Sequence, residues 1–190
     1  IALPQWSWGK LMHPWTLNSL KALDQVWKEI LGLPKGSVLF AHLMLPHQPF
    51  ALNADCSVRS NVKHWGVEVR GGAKDENFRQ YYEQLTCVYS KLESLFTEMQ
   101  QKGIFENSLI IIHGDHGSRV TMNGTTVENS GLVTPDDLLN AYSALFAVKL
   151  PNVPGGYDSQ ILPLEHLLKG VVRDYLMNGK DLEFQSSPSF

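Results

Sequence analysis

The stretch "SLIIIHGDHGSR", residues 108–119, runs an apolar segment into a turn where glycines flank an acid and a histidine. A short apolar run bounded by turn residues reads as a strand covered on both faces, the kind found in parallel sheets. The turn then carries Asp115 and His116 to the carboxyl end of that strand. Ligands of open parallel sheets bind beyond those ends. If 108–113 is such a strand, the fold is a layered α/β one and its site lies at Asp115.

Two further apolar runs support this. "SVLFAHLML" (37–45) reads as a buried strand ending at Pro46-His47, and "YSALFAVKL" (142–150) as a third. Helical patterns lie between them. Leu17, Leu20, Leu23, Val26, Trp27, Ile30 and Leu31 recur at helical steps and stop at Gly32 and Pro34. The spacing of Phe78, Tyr81, Tyr82, Leu85, Val88, Tyr89, Leu92, Leu95, Phe96 and Met99 predicts a helix over 77–102, with these residues as its apolar stripe. Thr134-Pro135-Asp136-Asp137 has the cap, first-turn proline and acids of a helix start. A last helix is expected over about 161–178, with Leu164, Leu167, Leu168, Val171, Val172, Tyr175 and Leu176 inward.

This alternation predicts a single α/β domain over 1–180, a layered α/β/α fold with a mostly parallel sheet, and a flexible tail at 181–190. Three strands make a small sheet with edges to cover. Either more strands lie in 50–76 and 117–132, or the chain contributes to a larger sheet. The second is the expectation.

The chain of 190 residues is 43% hydrophobic and 18% charged, enough for a sizeable core. A net charge of -3 gives no electrostatic reason to expect nucleic acid or an anionic membrane surface as partner. No apolar run approaches the ~18 residues that span a bilayer. The start, "IALPQWSWGK", has neither an initiator Met nor the layout of a signal peptide, and reads as a processed chain, fragment or cloned piece. Cys56 and Cys87 lack a Cys-x-x-Cys context, leaving two readings open: free buried thiols, or one disulfide in an oxidising compartment.

The strand ends gather His42, His47, His113, Asp115, His116 and Arg119. Carboxylate plus imidazole suits zinc, manganese or another divalent metal, and a guanidinium suits an anionic oxygen. Bland readings stand beside these. His42 inside an apolar run suits a core histidine as well as a ligand, and His113 reads as packing. Asp115 and His116 also suit a plain turn, although their place at a strand end favours a site. His13, His64 and His166 read as surface or packing residues.

"LIIIHGDHG" resembles the metal-binding signature of the alkaline phosphatase superfamily, and "HLMLPHQPF" resembles the upstream His-x4-His-x-Pro element of its sulfatase-like and phosphoethanolamine transferase branch. The segment "DLLNAYSALFAVKLP" is similar to the family's return strand, so the likeness covers about residues 35–155. It implies Asp115 and His116 as ligands of a divalent metal (zinc, manganese, magnesium or calcium). It implies His47, and with it His42, as contacts to the substrate or a second metal; Arg119 is expected beside His47 to stabilise charge on the transferred group. The implied activity is a metal-dependent hydrolase or transferase acting on phosphate or sulfate esters.

In that family the nucleophile and an early acidic ligand lie in an N-terminal half. No strand leading to a Ser or Thr at a helix start precedes residue 35, and no histidine falls between His116 and His166. The chain therefore resembles the C-terminal half of such an enzyme, incomplete by itself and partnered by the N-terminal part of the same protein. The resemblance also implies a periplasmic or extracellular location, tethered to a membrane by other sequence, and with it a Cys56–Cys87 disulfide. The rival expectation is a non-catalytic binding module of the same fold, recognising a lipid, glycan or protein partner.

Overall fold

A computed structural model describes residues 14–60, 74–120 and 124–177. The expected tail at 181–190, the histidines His13 and His64 read as surface or packing residues, and part of the 50–76 segment lie outside the described residues. The elements in order are α1 (Pro14–Ile30), α2 (Lys74–Gln101), β1 (Ile110–His113), α3 (Pro135–Tyr142), β2 (Phe146–Lys149) and α4 (Leu164–Gly170), which runs on as a π-helical stretch, Val171–Met177.

Helix α1 buries Leu23 from the leucine stripe read from the sequence, but its other buried residues, Thr16 and Ser19, lie one position off that stripe. Helix α2 departs in the same way. Leu95 and Met99 are buried as read, but Phe78, Tyr82 and Tyr89 are exposed, while Gln80, Gln84 and Cys87 are buried. Polar groups turn inward because a loop between the helices needs them. Thr16 donates to the Pro49 carbonyl at 3.0 Å, Ser19 accepts from the Met44 amide at 3.1 Å, and Gln84 binds backbone on either side of His47. The helices themselves meet through long side chains: Lys91 to Asp24 at 2.8 Å, and Trp27 to Glu98 at 2.7 Å.

The loop after Pro49 closes on itself. Leu52 and Val58 form an antiparallel bridge. The Arg59 amide donates to Ala51 O at 2.8 Å, and Cys56 turns the chain in the left-handed region at φ 66°. A disulfide joins Cys56 to Cys87 on α2. Of the two sequence readings, the bridge is the one the structure shows.

Strand β1 pairs antiparallel with β2, Ile110 opposite Lys149 and His113 opposite Phe146. The link between them passes through α3. Thr134 caps α3 with a reciprocal box: its hydroxyl accepts from the Asp137 amide, and the Asp137 carboxylate accepts from the Thr134 amide at 3.0 Å. Asp137 is only 1% exposed, so this box is internal to the fold. Lys149 at the end of β2 donates to the Phe105, Glu106 and Ser108 carbonyls, which fastens the α2–β1 turn.

Three expectations need correction. Residues 37–45 are not a strand: they run unpaired, with Val38 94% and Phe40 84% exposed. A short apolar run predicts a strand only where a neighbour supplies the ladder, and none does so among the described residues. Strand β1 is half-covered rather than buried, because the described sheet has two strands and no layer seals both faces. The last helix leaves Val172 and Leu176 exposed. Among the described residues the one ladder is this antiparallel pair.

A carboxylate cluster on α2 gives the fold a pH signature. Hydrogen bonds from Arg79, then Gln80, hold Glu76 down at about 2, and the Arg59 hydrogen bond lowers Glu83. Depressed carboxylates stabilise the fold fully above their ordinary value of 4.5, and that contribution is lost as pH falls toward 2. Both groups are partly exposed and screened, so the effect is modest. Urea unfolding should show a midpoint falling between pH 4.5 and pH 2, with a smaller fall in Glu76→Gln. Equal falls in both proteins would remove Glu76 from the account.

Candidate functional site

The turn after β1 is strapped to the residue before β2 and to the carboxyl end of α3 by main-chain bonds. Gly114 N donates to Leu145 O, Gly117 N to Ala141 O and Arg119 N to Asn140 O, each at 3.0 Å. Ser118 adds a side-chain bond to Asn140 at 3.2 Å. Gly117 is required by this closeness: a Cβ there would stand 2.2 Å from Asn140 O. The glycine therefore serves the approach of helix to turn.

Held this way, Asp115 projects outward with its side chain 80% exposed, beside a His116 side chain that is 21% exposed. Asp115 Oδ1 and His116 Nε2 lie 3.6 Å apart. His116 Nδ1 lies 2.7 Å from Gly117 O. A carbonyl only accepts, so Nδ1 carries a proton, and Nε2 is the nitrogen turned to Asp115. An imidazole that binds a metal does so through such a nitrogen in its neutral form. Ligands of one tetrahedral ion with bonds of about 2.0–2.2 Å stand about 3.4 Å apart, so the pair fits a shared divalent cation.

His47 arrives from the loop between α1 and α2. Its ring packs edge-on to that of His116, centroids 6.2 Å apart. Its Nδ1 lies 2.6 Å from Gln48 O, which again gives Nδ1 a proton. The peptide bonds before Pro46 and Pro49, on either side of it, are cis. The fold thus brings together three of the five residues singled out from the sequence: His47, Asp115 and His116. His42 and Arg119 are not joined to them. His42 is exposed on the unpaired 37–45 segment, which removes its reading as a core histidine. Arg119 is exposed, with its backbone at φ 54°. His113, read as packing, is exposed at the end of β1. His166 is exposed on α4, in keeping with a surface role. Among the described residues no group of three or more His, Cys, Asp or Glu converges closely enough to hold a metal.

Sequence reasoning missed Gln84 and Thr16, the residues that hold the His47 loop. A glutamine on the apolar face of a long helix was the available signal.

With this geometry in view, comparison with curated proteins finds distant relatives. The chain is distantly similar to lipoteichoic acid synthase. It is 25% identical over 157 residues to lipoteichoic acid synthase of Staphylococcus aureus strains USA300, NCTC 8325 / PS 47 and COL. The match takes in 77% of this chain and 23% of the synthase, so the chain spans about a quarter of the length of the curated relatives it matches. No family model matches, and no solved structure matches. The similarity to the synthase agrees with the superfamily resemblance of the Asp-His-Gly turn and goes no finer. No helix among the described residues is long and apolar enough to cross a membrane.

Proposed function

We propose that this chain is the metal-loop portion of a sulfatase-like hydrolase or transferase acting on phosphate esters. The observation that carries it is the Asp115–His116 pair, 3.6 Å apart at a strand end, with His47 brought against it from a loop 68 residues earlier in the chain. Asp115 and His116 would hold a divalent metal. When bound, such an ion polarises an ester oxygen and lowers the pKa of an attacking hydroxyl. His47 would face the transferred group and stabilise its charge, with Arg119 and His42 joining on substrate binding. Similarity to a lipoteichoic acid synthase supports phosphate over sulfate esters, and an extracytoplasmic location with the rest of the protein at a membrane. The disulfide agrees with an oxidising compartment.

The rest of the catalytic set belongs, in this reading, to the N-terminal part of the same protein. Exposed apolar side chains support that partner: Leu138, Leu139 and Tyr142 on α3, and Ile161 at 97% exposure. Covering them with further strands and helices would complete the layered, mostly parallel α/β/α fold.

Manganese titration followed by electron paramagnetic resonance tests the proposal. Wild type should take up the ion, and Asp115→Ala should bind it roughly tenfold or more weakly. Turnover of nitrophenyl phosphate by residues 1–190 should stay near background. Equal binding by both proteins, or none by wild type, would sink the metal assignment and favour the binding-module alternative. Robust turnover abolished by Asp115→Ala would place the nucleophile inside this chain.

A further inference from the structure

We infer that Gln84 is a positioning residue whose carboxamide sets His47 beside His116; its importance for function rests on the reading above. Gln84 is fully buried, at 0% exposure. Its Oε1 accepts from the Ala51 amide at 2.9 Å and the Leu52 amide at 3.2 Å. Its Nε2 donates to the Pro46 and His47 carbonyls, both at 3.0 Å. A carboxamide has two hydrogens to give and two lone pairs to receive with, and here all four are used. The four backbone groups bracket His47 on both sides, so one side chain fixes where that segment lies. Of the other anchors, Ser19 at Met44 and the disulfide beyond Leu52 sit outside the bracket, while Thr16 at Pro49 and Arg59 at Phe50 sit inside it, after His47.

The directions of these bonds make the role separable from packing. Methionine fills similar volume and serves none of the four groups. Glutamate keeps the acceptor for the two amides but lacks the pair of hydrogens for the two carbonyls. Gln84→Met should therefore free the whole segment. Gln84→Glu should keep the 51–52 amides held while loosening His47.

The test is nuclear magnetic resonance on the 190-residue chain, with the cross-strand contacts of β1 and β2 as the fold control. In Gln84→Met the nuclear Overhauser contact between the His47 and His116 rings should disappear. The Ala51 and Leu52 amides should exchange roughly tenfold faster or more. In Gln84→Glu those amides should stay protected to within about threefold, while the ring contact weakens. Manganese-induced broadening of the His47 ring protons, expected in wild type, should fall in both variants. An unchanged ring contact in either folded variant overturns the proposal. So does loss of the β1–β2 contacts in both, since Gln84 would then hold the fold at large. Wild type that shows the ring contact yet binds no manganese would instead count against the functional reading and leave the positioning role standing.

Discussion

Gly117→Ala should destabilise the protein by about 3 kcal/mol, at the upper end of what an added methyl costs in a packed setting. The new Cβ would meet Asn140 O at 2.2 Å, Asn140 C at 2.9 Å and Ser143 O at 3.0 Å. All three are main-chain atoms at the end of α3, so no flexible side chain can swing aside. The turn and helix must separate, which strains the Gly117–Ala141 and Arg119–Asn140 bonds and carries Asp115 and His116 with them. Gly131→Ala is the control, because a Cβ there meets nothing within 4 Å. Urea midpoints should fall steeply for the first variant and hardly move for the second. If Gly117→Ala unfolds at the wild-type midpoint, α3 does not end against this turn.

Removing the disulfide should have a comparable effect. Cys56 and Cys87 are 31 positions apart, and closing a loop of that size restricts the unfolded chain by about 3–4 kcal/mol. The paired change Cys56→Ala with Cys87→Ala should lose that much, measured by urea unfolding against the oxidised wild type. Cys87 is fully buried one helical turn beyond Gln84, so the loss should begin locally, as faster exchange in 51–59. Freshly prepared protein from an oxidising compartment should show no reactive thiol when denatured without reductant. Two thiols there would refute the bridge.

The sequence was most legible where local chemistry alone decides the outcome. The cap at Thr134 is a four-residue pattern whose donors and acceptors are all its own, and it folds as read. The Asp-His turn was found because its glycines and its strand are contiguous. Legibility failed where a partner distant in the chain sets the result. The 37–45 run has strand composition, yet pairing depends on a neighbour its own residues do not contain. The buried face of α2 was misplaced in its first half because periodicity counts apolar side chains, whereas Gln84 is drawn inward by four backbone groups 32–38 positions away. His47 and His116 share no local pattern, and their contact exists only through α1, α2 and the intervening loop.

The straps between the Asp-His turn and α3 are largely main-chain: two of the three hydrogen bonds join one backbone to the other. Backbone bonds are indifferent to which side chains the helix displays. The outer positions of α3, Leu138, Leu139 and Tyr142, can therefore be fitted to whatever covers them in the whole protein while the turn stays in place. Natural variation at those positions should follow the covering surface and spare Gly117 and the Thr134–Asp137 cap. For protein engineering, two tasks separate: the outer face of α3 can be rewritten to match a new covering surface without altering how Asp115 is held.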